Sequence, residues 1–350
     1  MTDHECTVSV IIPVYNGGTN FRHCLSSLTQ VVTPSTEIIV VADGDTDGSS
    51  LVAEEFGLKV IKLPISGGPG RARNLGAWAA KGDIIFFVDA DVVISQKAIS
   101  QVQRAFDAQP DLAAVIGSYD DAPGASNFLS QYKNLFHHYT HQKAREEAST
   151  FWGACGAIRR EIFLSIGGFD ESYRRPSIED IELGSRLKAA GYKIRLCKDL
   201  QVKHLKYWDV FSLLKAELFY RAIPWTELIW RSRNLSNDLN LELKSRLSTL
   251  IVYILLCSLV VVWWHPAFFA VVLIASLFLL KLNSPVYYFF HNKRGFWFAL
   301  TVIPWHWFYY TYCGFAFAFG TAKYFWSELV ASKLTPNSVY QNKSPNIARL

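Results

Sequence analysis

Charge is scarce in this chain: only 19% of its 350 residues are Asp, Glu, Lys or Arg, against 50% hydrophobic and 15% aromatic. An ordinary soluble protein carries more charge, and an all-membrane chain carries less, so the averages predict a mixture. Cysteines are few and scattered (Cys6, Cys24, Cys155, Cys197, Cys257, Cys313), with no CxxC pair and no metal-ligand spacing. That excludes a zinc module or a disulfide framework and predicts reduced thiols in a cytoplasm-facing domain. The opening MTDHECTVSV has no basic stretch followed by an apolar one. It is not a signal peptide, and the large domain is expected to stay unexported. Internal repeats and low-complexity tracts are lacking as well.

The net charge of +5 is modest and gathers beside apolar runs, at Arg231, Arg233, Lys244, Arg246, Lys293 and Arg294. Such clustering suits anionic lipid headgroups better than nucleic acid. After Arg246 come three apolar segments: Leu247 to Trp264, Ala267 to Leu282, and about Phe296 to Phe319. Trp263, Trp264, His265 and Pro266 read as an interfacial turn between the first two. A span needs about 20 residues, so the second is short. Pro304 and His306 mark the third as a span or a re-entrant segment. The division expected is a domain over residues 1–230, a membrane region over 231–330 with two to three transmembrane helices, and a polar tail over 331–350. The basic flanks are expected to place the large domain on the cytoplasmic side of a multi-pass plasma (cell inner) membrane protein. Lys323, Lys333, Lys343 and Arg349 favour the same side for the C-terminus, in conflict with an odd number of spans.

Before residue 120, short apolar or β-branched runs at Val8 to Pro13, Glu37 to Val41, Leu58 to Leu63, Asp83 to Asp89 and Leu112 to Tyr119 alternate with helical spacings. The pattern predicts an α/β fold, a mostly parallel sheet with helices on both faces. Ligands of such sheets gather at the carboxyl ends of the strands. Unusual polar residues follow the strands there: Tyr15 and Asn16, Asp43 to Asp47, Asp89 and Asp91.

Four segments carry chemistry. In IIFFVDADVVI (84–94), two carboxylates one residue apart close an apolar strand. They suit a hard divalent cation, Mg²⁺ or Mn²⁺, bridging to substrate phosphates, or else a solvated turn. In VVADGDTDGSS (40–50), Asp43 or Asp45 can accept hydrogen bonds from a base or ribose, although Asp and Gly are also what turns use. In GGPGRARNLG (67–76), Arg71 and Arg73 enter a helix start. Arginine forks there favour phosphate, and Arg71 also reads as a solvated helix residue. The segment matches neither GxxxxGK[ST] nor GxGxxG, which removes support for nucleotide-triphosphate hydrolysis and dinucleotide binding. In RRPSIEDIELGSRLKAAGY (174–192), Ser177 is placed to cap a helix that carries Glu179 and Asp180 in its first turn. Glu182 and Arg186 are spaced as an exposed ion pair.

In this order, VSVIIPVYN, VVADGDTDGS, GRARNLGAWAAKGDIIFFVDADV, FWGACGAIRREIFLSIGGFDESY and IEDIELGSRLKAAGY resemble the inverting glycosyltransferases of family two, over about residues 7–205. The resemblance implies the GT-A fold, a nucleotide-sugar donor, and a divalent metal. It implies that Tyr15 and Asp43 contact the base, that Arg73 lies near the nucleotide, that Asp89 and Asp91 hold ribose, diphosphate and metal, and that Asp180 is the catalytic base. Ala42 stands where the family often has a first aspartate, just before Asp43. Gly153 to Gly156, with Cys155, resemble the strand beneath the donor sugar, and Glu179 and His204 are further substrate-side candidates. FYRAIPWTELIWR (219–231) lacks the QxxRW motif of processive members. The stretch Phe211 to Tyr220, with Trp225 and Trp230, reads as amphipathic and interfacial. The function expected is transfer to a hydroxyl of a lipid or lipid-linked acceptor. The rivals are a polyprenyl-phosphate transferase, a processive synthase and an inactive nucleotide-sugar-binding scaffold.

Overall fold

The computed structural model describes residues 6–33, 35–233 and 241–334. Of the polar tail, residues 335–350 lie outside the described residues, and with them Lys343 and Arg349. Eight strands form one sheet: β1 (Val8–Val14), β2 (Thr36–Asp43), β3 (Lys59–Leu63), β4 (Ile84–Val88), β5 (Val92–Ile94), β6 (Leu112–Tyr119), β7 (Cys155–Arg159) and β8 (Lys193–His204). Their order across the sheet is β3-β2-β1-β4-β7-β6-β8-β5.

The five expected strands form, each within about two residues of its sequence bounds. Strand β1, apolar but for Ser9, and the strictly apolar β4 are buried on both faces. Val8, Val10 and Ile12 pack on one side, against helices Gly18–Thr29 and Ala98–Ala108. Ile11 points the other way, with Ile39, Val41, Phe87 and the helices Pro69–Ala79 and Glu179–Ala189. The period of two in a strand makes this division, and helices on both faces follow from it.

The expected parallel arrangement holds for β3-β2-β1-β4 and for β6 with β8. Strand β7 runs antiparallel to both β4 and β6, and β5 antiparallel to β8, so the second half of the sheet is mixed. The correction has a functional result. Pairing of Val92 with His204 brings the end of β8 beside the turn after β4, where Asp91 stands.

The C-terminal region is helical: Leu243–Val261, Phe268–Leu282, Ser284–Arg294 and Phe296–Leu334. Among the described residues one helix, Leu243–Val261, is long and apolar enough to cross a membrane, at mean hydropathy 1.7. A second span exists if the pair Phe268–Leu282 and Ser284–Arg294, bent by 59°, counts as one. The third expected segment belongs to a 39-residue helix that runs through Pro304. It is rich in Trp and Tyr and meets no such criterion. The basic pair Lys293 and Arg294 docks on the α/β domain: Lys293 Nζ lies 2.5 Å from Asp121, and Arg294 donates to Gln131 Oε1 at 2.6 Å and to the Asp121 carbonyl at 2.9 Å.

Candidate active site

Because β1, β2 and β4 are parallel neighbours, their carboxyl ends share one edge of the sheet, which carries Tyr15, Asp43 and Asp89. Tyr15 is 58% exposed there, and Asn16 behind it adopts φ 52° and accepts the Thr46 N–H at 2.8 Å. Asp43 is buried. It accepts from Ser66 Oγ at 2.8 Å and from the Gly67 and Gly68 N–H groups at 2.9 Å each. Its carboxylate therefore organises the loop leading into helix Pro69–Ala79. Gly44 sits under that loop at φ 72°, and a Cβ on it would stand 2.5 Å from the Ser66 nitrogen. Asp45 and Asp47 hold the start of helix Ser49–Glu55, accepting the N–H groups of Ser50 and Ser49 at 3.0 Å each.

Arg73, read from the sequence as a phosphate contact, is buried. Its guanidinium donates to Asp89 Oδ1 at 2.7 Å and to Glu179 Oε1 at 2.9 Å. Its place is thus a bridge between the end of β4 and the start of helix Glu179–Ala189. Gly153 is wedged beside it: an added Cβ would lie 2.9 Å from Arg73 Cζ. The same glycine donates its N–H to Asp180 Oδ2 at 3.0 Å, and Ile181 N–H donates to Asp180 Oδ1 at 2.8 Å. Each Asp180 oxygen keeps capacity for another donor. Desolvation, and then the charge of Glu179, push the Asp180 carboxyl up to about 6. The range suits a general base working near neutrality.

Asp91 closes the ring from the other side. Its Oδ2 lies 3.6 Å from His204 Nε2, and its carbonyl accepts the Leu205 N–H at 2.8 Å. Burial works to raise the Asp91 carboxyl, but His204 and Lys206 together outweigh it and hold the group below the usual range. His204 is itself buried and stacks on Tyr119, with ring centroids 4.3 Å apart. Cys155 turns its thiol into the core, where burial pushes it far up, so backbone is what it can offer a donor.

Two expectations about helix Glu179–Ala189 are corrected. Ser177 is no cap: its hydroxyl donates to the Tyr220 carbonyl at 2.5 Å, while its N–H donates to Glu179 Oε2 at 2.9 Å. The Glu182–Arg186 pair is half-buried, and Arg186 also donates to the carbonyls of Ile166 and Gly168.

Beside Asp180 lies a chamber of about 140 Å³ that the sequence did not reveal. The helix Phe128–Lys143 contributes Lys133, His137 and His141, the stretch after β8 contributes Trp208 and Arg221, and the long C-terminal helix contributes Tyr309. Arg221 lies on a π-helical stretch, Ala216–Ala222, which also carries buried Glu217. One signal was available. His137 and His141 are four residues apart, which places both on one helix face, and their rings stand 3.9 Å apart.

Residues 9–167 match the family model described as glycosyl transferase family 2, and residues 133–207 match that of the N-terminal domain of galactosyltransferase. Over residues 9–167 the α/β domain is similar to glycosyltransferase family two. The chain is 31% identical to the glycosyltransferase GlyG of Streptococcus pneumoniae serotype 4 over 117 residues, covering 32% of this chain and 38% of that protein. It is 29% identical over 224 residues to the pre-mycofactocin glycosyltransferase of Mycobacterium tuberculosis, covering 61% and 46%. The chain thus spans less than half the length of these two relatives. The solved mannosyltransferase PcManGT from Pyrobaculum calidifontis, in complex with GDP-Man and Mn²⁺, superposes with a TM-score of 0.56 at 15% identity, covering 93% of this chain and 89% of that one. The fold of the domain is GT-A.

Proposed function

We propose that the chain transfers a sugar from a nucleotide-sugar donor to an acceptor hydroxyl, with inversion, at a membrane surface. The observation that carries this reading is Asp180: a carboxylate tuned to about 6, oriented by Gly153 and Ile181, at the mouth of a chamber and linked through Glu179 and Arg73 to Asp89. The acceptor oxygen attacks the anomeric carbon, its proton passes to Asp180, and the sugar–phosphate bond breaks with its electron pair leaving on the nucleoside diphosphate. Tyr15 and Asp43 lie on the sheet edge where the base would rest.

Among the described residues no group of three or more His, Cys, Asp or Glu side chains makes a ready metal cage. Mg²⁺ and Mn²⁺ need less, since one or two carboxylates plus substrate phosphates and water suffice. Asp91, with the Asp89 oxygen that Arg73 leaves unengaged, fits that requirement. When bound there, the cation stabilises charge on the leaving diphosphate. The mannosyltransferase complex with GDP-Man and Mn²⁺ supports both the donor class and the metal.

Membrane attachment through the C-terminal helices, with the catalytic domain cytoplasmic, is supported by exposed Trp263 at 85%, Trp264 at 71% and Ile274 at 65%. A surface of that kind belongs in lipid or in an interface. Lys293 and Arg294 stand against the catalytic domain, as the positive-inside rule requires of the same side. Incubating the purified full chain with UDP-, GDP- and dTDP-sugars and a membrane lipid extract, followed by mass spectrometry, tests the reading. A new glycosylated product is the expected result, and no consumption of any donor would reject it.

A further inference from the structure

The chamber beside Asp180 has features that select a ligand. Its cations are already matched. Lys133 Nζ and Arg221 donate to the same oxygen of Glu217, at 2.7 and 3.1 Å, and Asp180 supplies a second negative charge at the chamber wall. Burial, and then neighbouring His141, hold the His137 imidazole well below its ordinary range, so that ring is uncharged. A bare phosphate entering here would add negative charge next to Asp180 with no unbalanced cation to meet it, a costly arrangement in a partly desolvated site.

Two polar atoms in the walls are unsatisfied. His137 Nδ1 and Trp208 Nε1 are buried without a hydrogen-bond partner, and Trp208 as a residue is only 5% exposed. Buried polar groups in folded proteins nearly always have partners, so unpaired ones lining a chamber point to a ligand that supplies them. One is an N–H donor, and the other is an acceptor or donor according to tautomer. A hydroxyl can serve either. Of the aromatic rings around them, Tyr119 is stacked on His204 and Trp152 lies against His137, while the indole of Trp225 suits the C–H side of a sugar ring.

We propose that this chamber is the acceptor subsite for a neutral pyranose ring, with His137 and Trp208 hydrogen-bonding its hydroxyls and Asp180 taking the proton of the attacking one. The acceptor is then a glycan already begun, whatever carries it, and not a polyprenyl phosphate. The inference rests on the glycosyltransferase reading above.

The test uses the full chain in detergent, the donor panel, and two acceptor sets: octyl glycosides of glucose, galactose, mannose and N-acetylglucosamine, and polyprenyl phosphate. Product is expected on at least one octyl glycoside. His137→Phe and Trp208→Phe keep the rings and remove the polar atoms, and each should raise KM for that glycoside about tenfold, with the donor KM changed less than about twofold. Lys193→Gln, on the far surface, serves as the unaltered control. Product on polyprenyl phosphate alone would overturn the proposal, as would glycoside KM values untouched by both variants. Donor hydrolysis without transfer to any glycoside also counts against the pyranose subsite while sparing the enzyme reading. Absence of any donor turnover rejects the enzyme reading itself.

Discussion

Arg73 donates to Glu179 at 2.9 Å across 106 residues of chain, and both side chains are 5% exposed. Its other nitrogen holds Asp89, so one guanidinium ties the end of β4 to the helix that presents Asp180. Removing it leaves two carboxylates close together in a poorly solvated place. Arg73→Ala is therefore expected to destabilise the domain by about 3–5 kcal/mol. Arg73→Lys, a point charge in place of a fork, should keep part of the stability and lose most of the transfer rate. Thermal unfolding of the purified chain together with initial rates checks this, and a Lys variant with unchanged rate would remove the positioning role.

Asp180→Asn preserves shape and removes the proton acceptor. Transfer should fall by about 10² to 10⁴, with donor affinity retained. The control is Asp111→Asn, an exposed carboxylate paired only with Lys193. Glu182 would be a poor control, because Arg186, which it holds, also satisfies two backbone carbonyls. Near-normal transfer by the Asn variant would end the assignment of Asp180.

The raised Asp180 carboxyl also predicts a pH profile. A base with its value near 6 is protonated below that pH, so the transfer rate should decline about tenfold per pH unit under about pH 6 and level off above it. The sign follows from desolvation favouring the neutral acid. An acid limb near pH 4, where an ordinary aspartate titrates, would show that burial and Glu179 do not tune the group in solution.

Chelation should abolish transfer, and Mg²⁺ or Mn²⁺ should restore it. Asp91→Ala should raise the metal concentration needed for half-maximal rate, while Asp43→Ala, which frees the loop at Ser66 to Gly68, should act on donor KM instead. Full activity in excess chelator would remove the metal from Asp91.

Gly153→Ala places a methyl 2.9 Å from Arg73 Cζ. A guanidinium fixed by two ion pairs has little room to move, so the variant should lose transfer well beyond any loss of thermal stability. Equal rates for the two chains would mean that the bridge is looser than its geometry implies.

The first half of the sheet was legible because β4 is a continuous apolar run and β1 is broken only by Ser9, and Asp180 and Asp91 stand in short local patterns. Strand β8, KIRLCKDLQVKH, is polar at every other place and so gives no apolar run, and β5 is only 3 residues long. The mixed pairing on either side of β6 was lost with them. The two ion pairs of Arg73 were hidden because its partners lie 16 and 106 residues away, beyond any local spacing. The chamber was hidden for the same reason, since its walls come from segments as distant as Lys133 and Tyr309.

Tyr309 closes that chamber from a helix outside the catalytic domain. The C-terminal helices are therefore also part of the candidate site. A chain ended near residue 233 would keep the donor edge but open one wall beside Asp180 to bulk water, the most abundant competing nucleophile. Such a truncated form would waste donor by hydrolysis, so on the proposed reading these helices also keep the sugar for the intended recipient.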